Sequence, residues 1–257
     1  MANSMTTMIA MASGKGGVGK TSLTLGIAVL LAKQGKKVLV FDGDFGLANA
    51  DVQLGLQPKK DLAHVLAGQA SLAEVVTKSE HGVYLIPGRS GAGTLAFITA
   101  LEQQGILQQL RTLAAQFDVV LLDVPAGLDE TVLGLCRFAD HTVVVTTPDP
   151  SSITDAYAVM KLLVTRHDYR RLNMVINQAG SVVEGKQTGK KVTTAAKSFL
   201  GVEVPVLGMV MYDRAYSTAV KQQQLPVVAS PHGKAAEGVA EVAAALLKLK
   251  IDSGFAA

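Results

Sequence analysis

The sequence is poor in cysteine, in aromatic residues and in net charge. Its 257 residues include one cysteine, Cys136, no tryptophan, and 5% aromatic residues. A single cysteine excludes an intrachain disulfide and any paired-cysteine metal site within one chain. The net charge of +3 is too small to indicate nucleic-acid binding by itself. This composition predicts a protein of a reducing, cytoplasmic compartment.

Long hydrophobic runs and linkers are also lacking. No stretch approaches the roughly 20 apolar residues of a membrane span, and the amino terminus has neither the basic residues nor the apolar core of a signal peptide. No run rich in Pro, Gly or Ser divides the chain. We therefore expect a single domain over residues 1–257, with a C-terminal helix at about 233–250 and a short tail at 251–257.

Short apolar runs do recur, with helical patterns between them. Strands are predicted at 7–12, 37–42, 83–87, 118–124, 141–147, 172–177 and 205–210, and helices at about 20–34, 101–116, 151–166, 188–199 and 233–250. Nearly continuous apolar runs indicate strands that are buried on both faces. Their alternation with helices predicts an α/β fold: one doubly wound, mostly parallel sheet with helices on both faces. Ligands of such sheets bind at the carboxyl ends of the strands.

The segment GKGGVGKT lies between the first predicted strand and the first predicted helix. It matches a phosphate-binding loop, in which glycines allow backbone N–H groups and a helix amino terminus to face phosphate oxygens. We predict that Lys20 holds the β- and γ-phosphates of ATP, that Thr21 ligates Mg²⁺ and that Ser22 reaches the α-phosphate. The nucleotide-binding residues expected from the loop are Gly14, Lys15, Gly16, Gly17, Val18, Gly19, Lys20, Thr21 and Ser22.

Carboxylates stand at the ends of two predicted strands. Asp42 and Asp44 follow one apolar run, and Asp123 ends another. A carboxylate in this place, near bound phosphates, can orient water or a Mg²⁺ ion. We predict that Asp123 reaches Mg²⁺ through water, as a Walker B aspartate does. For the Asp-Gly-Asp sequence, a capping aspartate in a turn is the alternative.

Lys15 is a second lysine in a loop that needs one. A solvated surface lysine is one interpretation. The sequence K-G-G-x-G-K-T at 15–21, however, resembles the deviant-Walker P-loop ATPases of the MinD/ParA family. The resemblance implies an ATP-dependent homodimer in which Lys15 contacts the phosphates bound by the other subunit. Lys15, Lys20 and Asp44 are then the catalytic residues of an ATPase that hydrolyses ATP to ADP and phosphate.

The resemblance covers residues from about 7 to 249 and assigns two switch segments. DGDFGLANADVQLGL (42–56) resembles switch I, in which Asp44 positions the attacking water and Asp42 acts behind it on the Mg²⁺ shell. Pro125 and Gly127 follow Asp123 as in switch II, where glycine leaves room for the γ-phosphate.

One position on each side of the adenine pocket is also implied. Asn177 matches the asparagine that reads adenine in the family, and a purely structural hydrogen-bonding role is the alternative. Met211 stands where family members have a proline, which changes the far wall of the pocket.

Two longer segments resemble FlhG-type regulators of flagellar number and placement most closely. They are PDPSSITDAYAVMKLL (148–163) and GLANADVQLGLQPKKDLAHVLAG (46–68). The implied function is a Mg-ATP-dependent dimerising switch that controls the position or number of a cellular structure, with the flagellum as first candidate. The family also implies a partner protein, either an activator of hydrolysis or a cargo adaptor.

Three alternatives concern other partners. The carboxyl terminus could place the protein peripherally on the inner face of the membrane, with Ile251 and Phe255 as lipid anchors. A partition ATPase of the ParA type could bind DNA nonspecifically through the lysines of EGKQTGKKVTTAAK (184–197). A metal-cluster assembly ATPase shares the loop but uses paired cysteines, whereas Cys136 would supply two thiolates per dimer.

Overall fold

The computed structural model describes residues 6–44, 49–88 and 98–249. Within these ranges the strands are β1 (Thr7–Ser13), β2 (Val38–Asp42), β3 (Thr77–Lys78), β4 (Tyr84–Ile86), β5 (Val119–Ala126), β6 (His141–Thr146), β7 (Leu172–Ala179) and β8 (Val206–Met211). They form one sheet in the order β3-β4-β2-β5-β1-β6-β7-β8. Every neighbouring pair is parallel except β3 with β4. The predicted doubly wound, mostly parallel α/β fold is confirmed.

The helices pack on both faces of this sheet. They are α1 (Lys20–Lys33), α2 (Ala50–Gln53), α3 (Leu62–Leu66), α4 (Ala100–Ala114), α5 (Glu130–Phe138), α6 (Pro150–His167), α7 (Val182–Ala195), α8 (Arg214–Lys221), α9 (Pro226–Ala229) and α10 (Lys234–Leu246). A 3₁₀ helix covers Leu72–Val75, and a π-helical turn at Ala196–Leu200 extends α7.

The central strand β1 shows how the two hydrophobic cores arise. Met8, Ala10 and Ala12 belong to one cluster of buried residues, with residues of α4, α5 and α6, whereas Ile9 and Met11 belong to another, with residues of α1 and α10. Because successive side chains of a strand point to opposite faces, an apolar residue is required at every position. This explains why the run lacks the alternation of a half-exposed strand.

The prediction for α7 was wrong in its start. The helix begins at Val182, with the Ser181 side chain accepting a hydrogen bond from Glu184 N–H, rather than at residue 188. Gly185 lies near the start of α7, and in the sequence a glycine at this place is typical of a loop. A Cβ atom there would lie 2.9 Å from the sulfur of Met209 on β8. The glycine is therefore a packing residue that brings the helix close to the sheet.

The C-terminal helix is shorter than predicted. Helix α10 ends at Leu246 and a turn follows it, instead of a helix that reaches residue 250. The tail at 251–257, with its candidate anchors Ile251 and Phe255, lies outside the described residues. In the described part of the chain, no helix combines the length and the hydrophobicity that crossing a bilayer requires. Assignment of residues 1–257 to one domain stays a prediction.

Candidate functional site

The glycine-rich loop connects the carboxyl end of β1 to the amino end of α1. Gly17 and Gly19 have φ angles of 79° and 83°, a conformation that residues with a Cβ atom rarely adopt. Gly19 is the N-cap residue of α1 and has no side chain to occupy the first-turn N–H groups. These groups and the positive end of the helix dipole make the loop an anion site.

Behind the loop, Lys20 and Thr21 converge on Asp123 of β5. Lys20 Nζ lies 3.0 Å from Asp123 Oδ1, and Thr21 Oγ1 donates to Asp123 Oδ2 at 2.6 Å. The side chains of Lys20 and Asp123 are 10% and 4% exposed. An ammonium group, a hydroxyl and a carboxylate are thus held together in a poorly hydrated place, where their charges act strongly.

Asp42 lies on β2 directly beside Asp123, since the two residues are register partners in the sheet. Burial, and next the charge of Asp123, raise the pKa of Asp42 to about 7, although hydrogen bonds from the Asp44 and Ala50 N–H groups act to lower it. Two adjacent carboxylates and the Thr21 hydroxyl are hard oxygen donors of the kind that Mg²⁺ prefers.

At the front of the loop, Lys15 has different partners. Its Nζ atom lies 2.9 Å from Asp149 Oδ2 and 2.5 Å from Ser151 Oγ, at the start of α6. The side chains of Lys15 and Asp149 are 44% and 50% exposed. The structure therefore places the two lysines of the loop in separate clusters, one buried and one at the surface.

A cavity of about 460 Å³ opens beside the loop. Of the predicted site residues, it is lined by Lys15, Gly16, Gly17, Val18, Gly19, Lys20, Thr21, Ser22, Asp44 and Asn177. Gly14, Asp42 and Asp123 are not among the lining residues. Pro125 and Gly127 do not line it, although Gly127 N–H bonds the Ser13 carbonyl oxygen at 3.1 Å and so ties the predicted switch II to β1.

Asn177 is buried at the carboxyl end of β7 and is bonded to the loop. Its Nδ2 donates to the Val18 carbonyl oxygen at 2.7 Å, and its Oδ1 accepts the Gln178 N–H at 3.0 Å. These bonds fix the side chain beside the cavity, where Met211 and Asp213 form part of the opposite wall. Adenine recognition by Asn177 stays a prediction, as does the structural alternative.

Several residues of the site were missed by sequence reasoning. Gln53 accepts a hydrogen bond from Ser22 Oγ at 3.1 Å, and Tyr216 donates from its hydroxyl to the Ser22 carbonyl oxygen at 3.3 Å. Asp149 and Ser151 hold Lys15. The Asp-Pro-Ser-Ser sequence is a helix-start signal that could have placed Asp149 as an N-cap, but nothing in the sequence links α6 to the loop.

The donors present fit ATP and Mg²⁺. Gly16 and Gly17 have no atom within 4 Å of where a Cβ would lie, so the loop backbone stays accessible to phosphate. Lys20 would hold phosphate oxygens, and Thr21 and Asp123 would hold the metal. Among the described residues, no group of three or more His, Cys, Asp or Glu side chains could hold a metal ion by itself.

Cys136 offers little to a metal cluster. It is fully buried on α5, and burial raises the pKa of its thiol to about 12. The thiolate that binds metals is therefore scarce at neutral pH.

Comparison with known proteins finds relatives by sequence and by fold. Residues 6–176 match the family model described as AAA domain. The chain is 36% identical over 228 residues to the antiactivator FleN of Pseudomonas aeruginosa, which covers 89% of this chain and 81% of FleN. It is 34% identical over 250 residues to the flagellum site-determining protein YlxH of Helicobacter pylori, with 97% and 84% covered.

Solved structures of similar fold carry the nucleotide and a partner. The septum site-determining protein MinD of Pyrococcus horikoshii, complexed with Mg-ADP, superposes with a TM-score of 0.78 at 26% identity over 95% of this chain and 97% of that one. The MinC:MinD cell division protein complex of Aquifex aeolicus gives a TM-score of 0.76 at 26% identity, with 97% and 98% covered.

Proposed function

The chain belongs to the AAA-domain family of P-loop ATPases that includes MinD and FleN, and from that premise we propose that it is an ATP-dependent dimerising switch. It binds ATP with Mg²⁺ and hydrolyses the nucleotide. The observation that carries the proposal is the presence of two lysines of the same loop in separate clusters, one buried and one at the surface.

The buried cluster serves binding and hydrolysis. Bound Mg-ATP supplies the phosphoryl group and a metal charge that neutralises its oxygens. Lys20 would hold phosphate oxygens, and Thr21 and Asp123 would hold the metal, with Asp42 beside Asp123. Asp44, at the rim of the cavity, orients the attacking water. Phosphoryl transfer to water requires positioning and neutralisation of charge more than covalent chemistry.

The surface cluster serves dimerisation. Lys15 lies on the exposed side of the loop, so its ammonium group can reach phosphates bound by a second copy that faces the same cavity. A cation supplied from another subunit stabilises charge in the transition state, as an arginine finger does. Hydrolysis is then slow in the monomer and faster in the dimer, which is what a switch requires.

The cellular task that we propose is control of flagellar number or placement. Two relatives that align with 89% and 97% of this chain are an antiactivator, FleN, and a flagellum site-determining protein, YlxH. A partner protein that acts as activator or cargo adaptor is part of the proposal. The MinC:MinD complex of Aquifex aeolicus is an example of such an assembly in this fold.

Light scattering of the Asp44→Ala protein with ATP and with ADP tests the dimer. We expect the mass to double with ATP and to stay monomeric with ADP, because hydrolysis no longer disassembles the complex. A mass that is independent of the nucleotide would contradict the switch.

Co-sedimentation of the same variant with anionic liposomes or with duplex DNA tests where the dimer acts. Lys186, Lys190 and Lys191 are exposed on α7, which makes DNA a second candidate. ATP-dependent pelleting with lipid would support a peripheral membrane location, and pelleting with DNA would support the partition ATPase. Binding to neither would make a protein the scaffold.

A further inference from the structure

The hydroxyl of Ser22 is held by a residue from a different helix. Ser22 lies in the first turn of α1 and lines the cavity beside the loop, and it is 6% exposed. Its Oγ donates to Gln53 Oε1 of α2 at 3.1 Å. A buried hydroxyl without a partner is costly. The Gln53 amide therefore supplies a partner from within the protein.

The backbone of Ser22 is fixed from the other side by α8. The Tyr216 hydroxyl donates to the Ser22 carbonyl oxygen at 3.3 Å. Tyr216 stays close to α1 because of a glycine, since a Cβ atom on Gly26 would lie 3.5 Å from the Tyr216 hydroxyl oxygen and 3.1 Å from Val227. With its carbonyl group held in this way, Ser22 can change the direction of its hydroxyl bond more easily than the position of its backbone.

Helix α2 is fastened beside Ser22 independently of Gln53. The Ala50 N–H donates to Asp42 Oδ2 at 3.2 Å, and Ala50 and Leu54 are buried in the cluster that contains residues of α1. The side chain of Gln53 is half-buried. It lines the loop cavity and also a second cavity of about 360 Å³. The backbone is thus anchored, whereas the amide group has room to turn.

The chemistry of the two side chains explains why a glutamine suits this place. A serine hydroxyl has one hydrogen to donate and can also accept, and a glutamine amide has both an acceptor oxygen and a donor nitrogen. A phosphate oxygen only accepts. When Ser22 donates to the α-phosphate, its hydrogen leaves Gln53 Oε1. The amide can then turn about its terminal torsion, which is roughly two-fold, and donate from Nε2 to Ser22 Oγ.

We propose that Gln53 is a positioning residue of the nucleotide site, which accepts from Ser22 in nucleotide-free protein and donates to it when the hydroxyl bonds the α-phosphate. The inference rests on the proposed function, since it requires a nucleotide at this loop. ATP and ADP share the α-phosphate, so Gln53 contributes equally to the binding of both. Asp44, in contrast, acts on the water that attacks the γ-phosphate.

The first measurement is calorimetric titration of Gln53→Met with ADP and with a non-hydrolysable ATP analogue. Methionine is similar in size but cannot bond the Ser22 hydroxyl. A neutral hydrogen bond changes an equilibrium by a factor of roughly two to ten. The Kd should rise by a factor in this range, and by the same factor for both nucleotides. An unchanged Kd, or a rise confined to the ATP analogue, would overturn the inference.

Gln53→Glu separates positioning from a purely structural contact. The carboxylate can accept from Ser22 in nucleotide-free protein, so thermal stability without nucleotide should stay close to that of wild type. It has no hydrogen to donate once the hydroxyl turns, and its charge faces the phosphate. The Kd should therefore rise at least as much as in Gln53→Met. Wild-type affinity in Gln53→Glu would reduce Gln53 to a structural partner of Ser22.

A double-mutant cycle tests whether Gln53 acts through Ser22. Ser22→Ala alone should weaken both nucleotides, because it removes the hydroxyl that reaches the α-phosphate. In the Ser22→Ala protein, Gln53→Met should have little further effect, since the group that it positions is already absent. Fully additive losses would mean that Gln53 acts by another route, and would contradict the proposal.

The matched control is Gln104→Met, which makes the same change on the exposed face of α4. It should bind both nucleotides as wild type does. Urea unfolding without nucleotide shows which variants are folded, and the Ser22→Ala cycle can also be closed with Gln53→Glu if Gln53→Met is not. If wild-type protein binds neither nucleotide, the proposed function fails. If wild type binds both and the Gln53 variants bind equally well, only the positioning role of Gln53 fails.

Discussion

The back and the front of the phosphate-binding loop use the same residue type in opposite ways. At the back, Lys20 is 10% exposed and bonded to the nearly buried Asp123. At the front, Lys15 is 44% exposed and bonded to Asp149, which is half exposed. Both pairs join a lysine to a carboxylate at 2.9 to 3.0 Å. The distances are alike, so the solvent around each pair decides how much its loss costs, little at the surface and more in the interior.

The largest effect is expected at the back of the loop. Lys20→Ala removes the buried ammonium group, and we expect ATP affinity to fall by about 100-fold or more, because charge-assisted bonds to phosphate are lost in a poorly hydrated site. Calorimetric titration with ATP measures this. Lys186→Ala, an exposed lysine on α7, is the control and should bind ATP normally. Unchanged affinity in Lys20→Ala would contradict the assignment of the loop.

The same variant also tests how much the burial of the Lys20–Asp123 pair matters for stability. Without Lys20, the buried Asp123 beside Asp42 loses its bonded ammonium group, and removal of one partner from a buried pair costs about 3 to 5 kcal/mol. Urea unfolding of nucleotide-free protein should show a loss of free energy toward that range. Equal stability of Lys20→Ala and wild type would mean that the pair is more hydrated than its burial indicates.

Asp44→Ala is expected to have the next largest effect. It should lower the rate of hydrolysis and leave ATP binding intact. Loss of a group that orients water lowers the rate by about 100-fold or more, whereas the ammonium group of Lys20 remains to bind ATP. Phosphate release measured at saturating ATP, beside calorimetric affinity, distinguishes the two. Asp168→Ala serves as a control for loss of an exposed carboxylate. A normal rate in Asp44→Ala would remove Asp44 from the catalytic residues.

Lys15→Ala removes the ammonium group at the front of the loop. We expect ATP affinity and thermal stability close to those of wild type, because an exposed pair adds little to either. The rise of specific activity with protein concentration should disappear, leaving the slow rate of the monomer. Activity measured over a hundredfold range of concentration, about the span over which dimer fractions change, checks this. A concentration dependence like that of wild type would restore the interpretation of Lys15 as a solvated surface lysine.

The smallest effect is expected at Cys136, in the dry interior behind the loop. Because the thiol is fully buried and its pKa is raised to about 12, the thiolate fraction stays low, and alkylation by iodoacetamide should be slow in the folded protein at both pH 7 and pH 9, with a rate that rises with pH. In urea the thiol should react readily. Fast reaction in the folded protein would show that this side of the sheet opens to solvent.

The sequence predicted the fold well where burial leaves a continuous apolar run. Strands β1, β5, β6 and β7 begin within one residue of their predicted starts. Strand β3 was missed because Thr77–Lys78 is too short for a pattern. Helix α7 was misplaced because a glycine that serves packing, Gly185, looks like a glycine that breaks a helix.

The part of the site that lies within one sequence motif could be predicted. The loop from Gly14 to Ser22 has a fixed spacing, so its members could be named in advance. Contacts between distant segments could not. Lys15 and Asp149 are 134 residues apart, and their contact follows from the order of β1 and β6 in the sheet and from the close packing of Gly14 on α6. No local sequence pattern predicts the contact between Lys15 and Asp149.

The two-residue strand β3 has a consequence for how copies of this chain associate. An open sheet edge offers unpaired backbone groups to any other strand and invites unregulated polymerisation. Here one edge ends after two residues, and Lys78 on it is exposed, with its Nζ 5.1 Å from the centre of the Tyr84 ring. A short, charged edge resists growth of the sheet from one molecule to the next. The dimer that we propose, which meets through the face that carries Lys15, therefore does not compete with strand pairing at this edge.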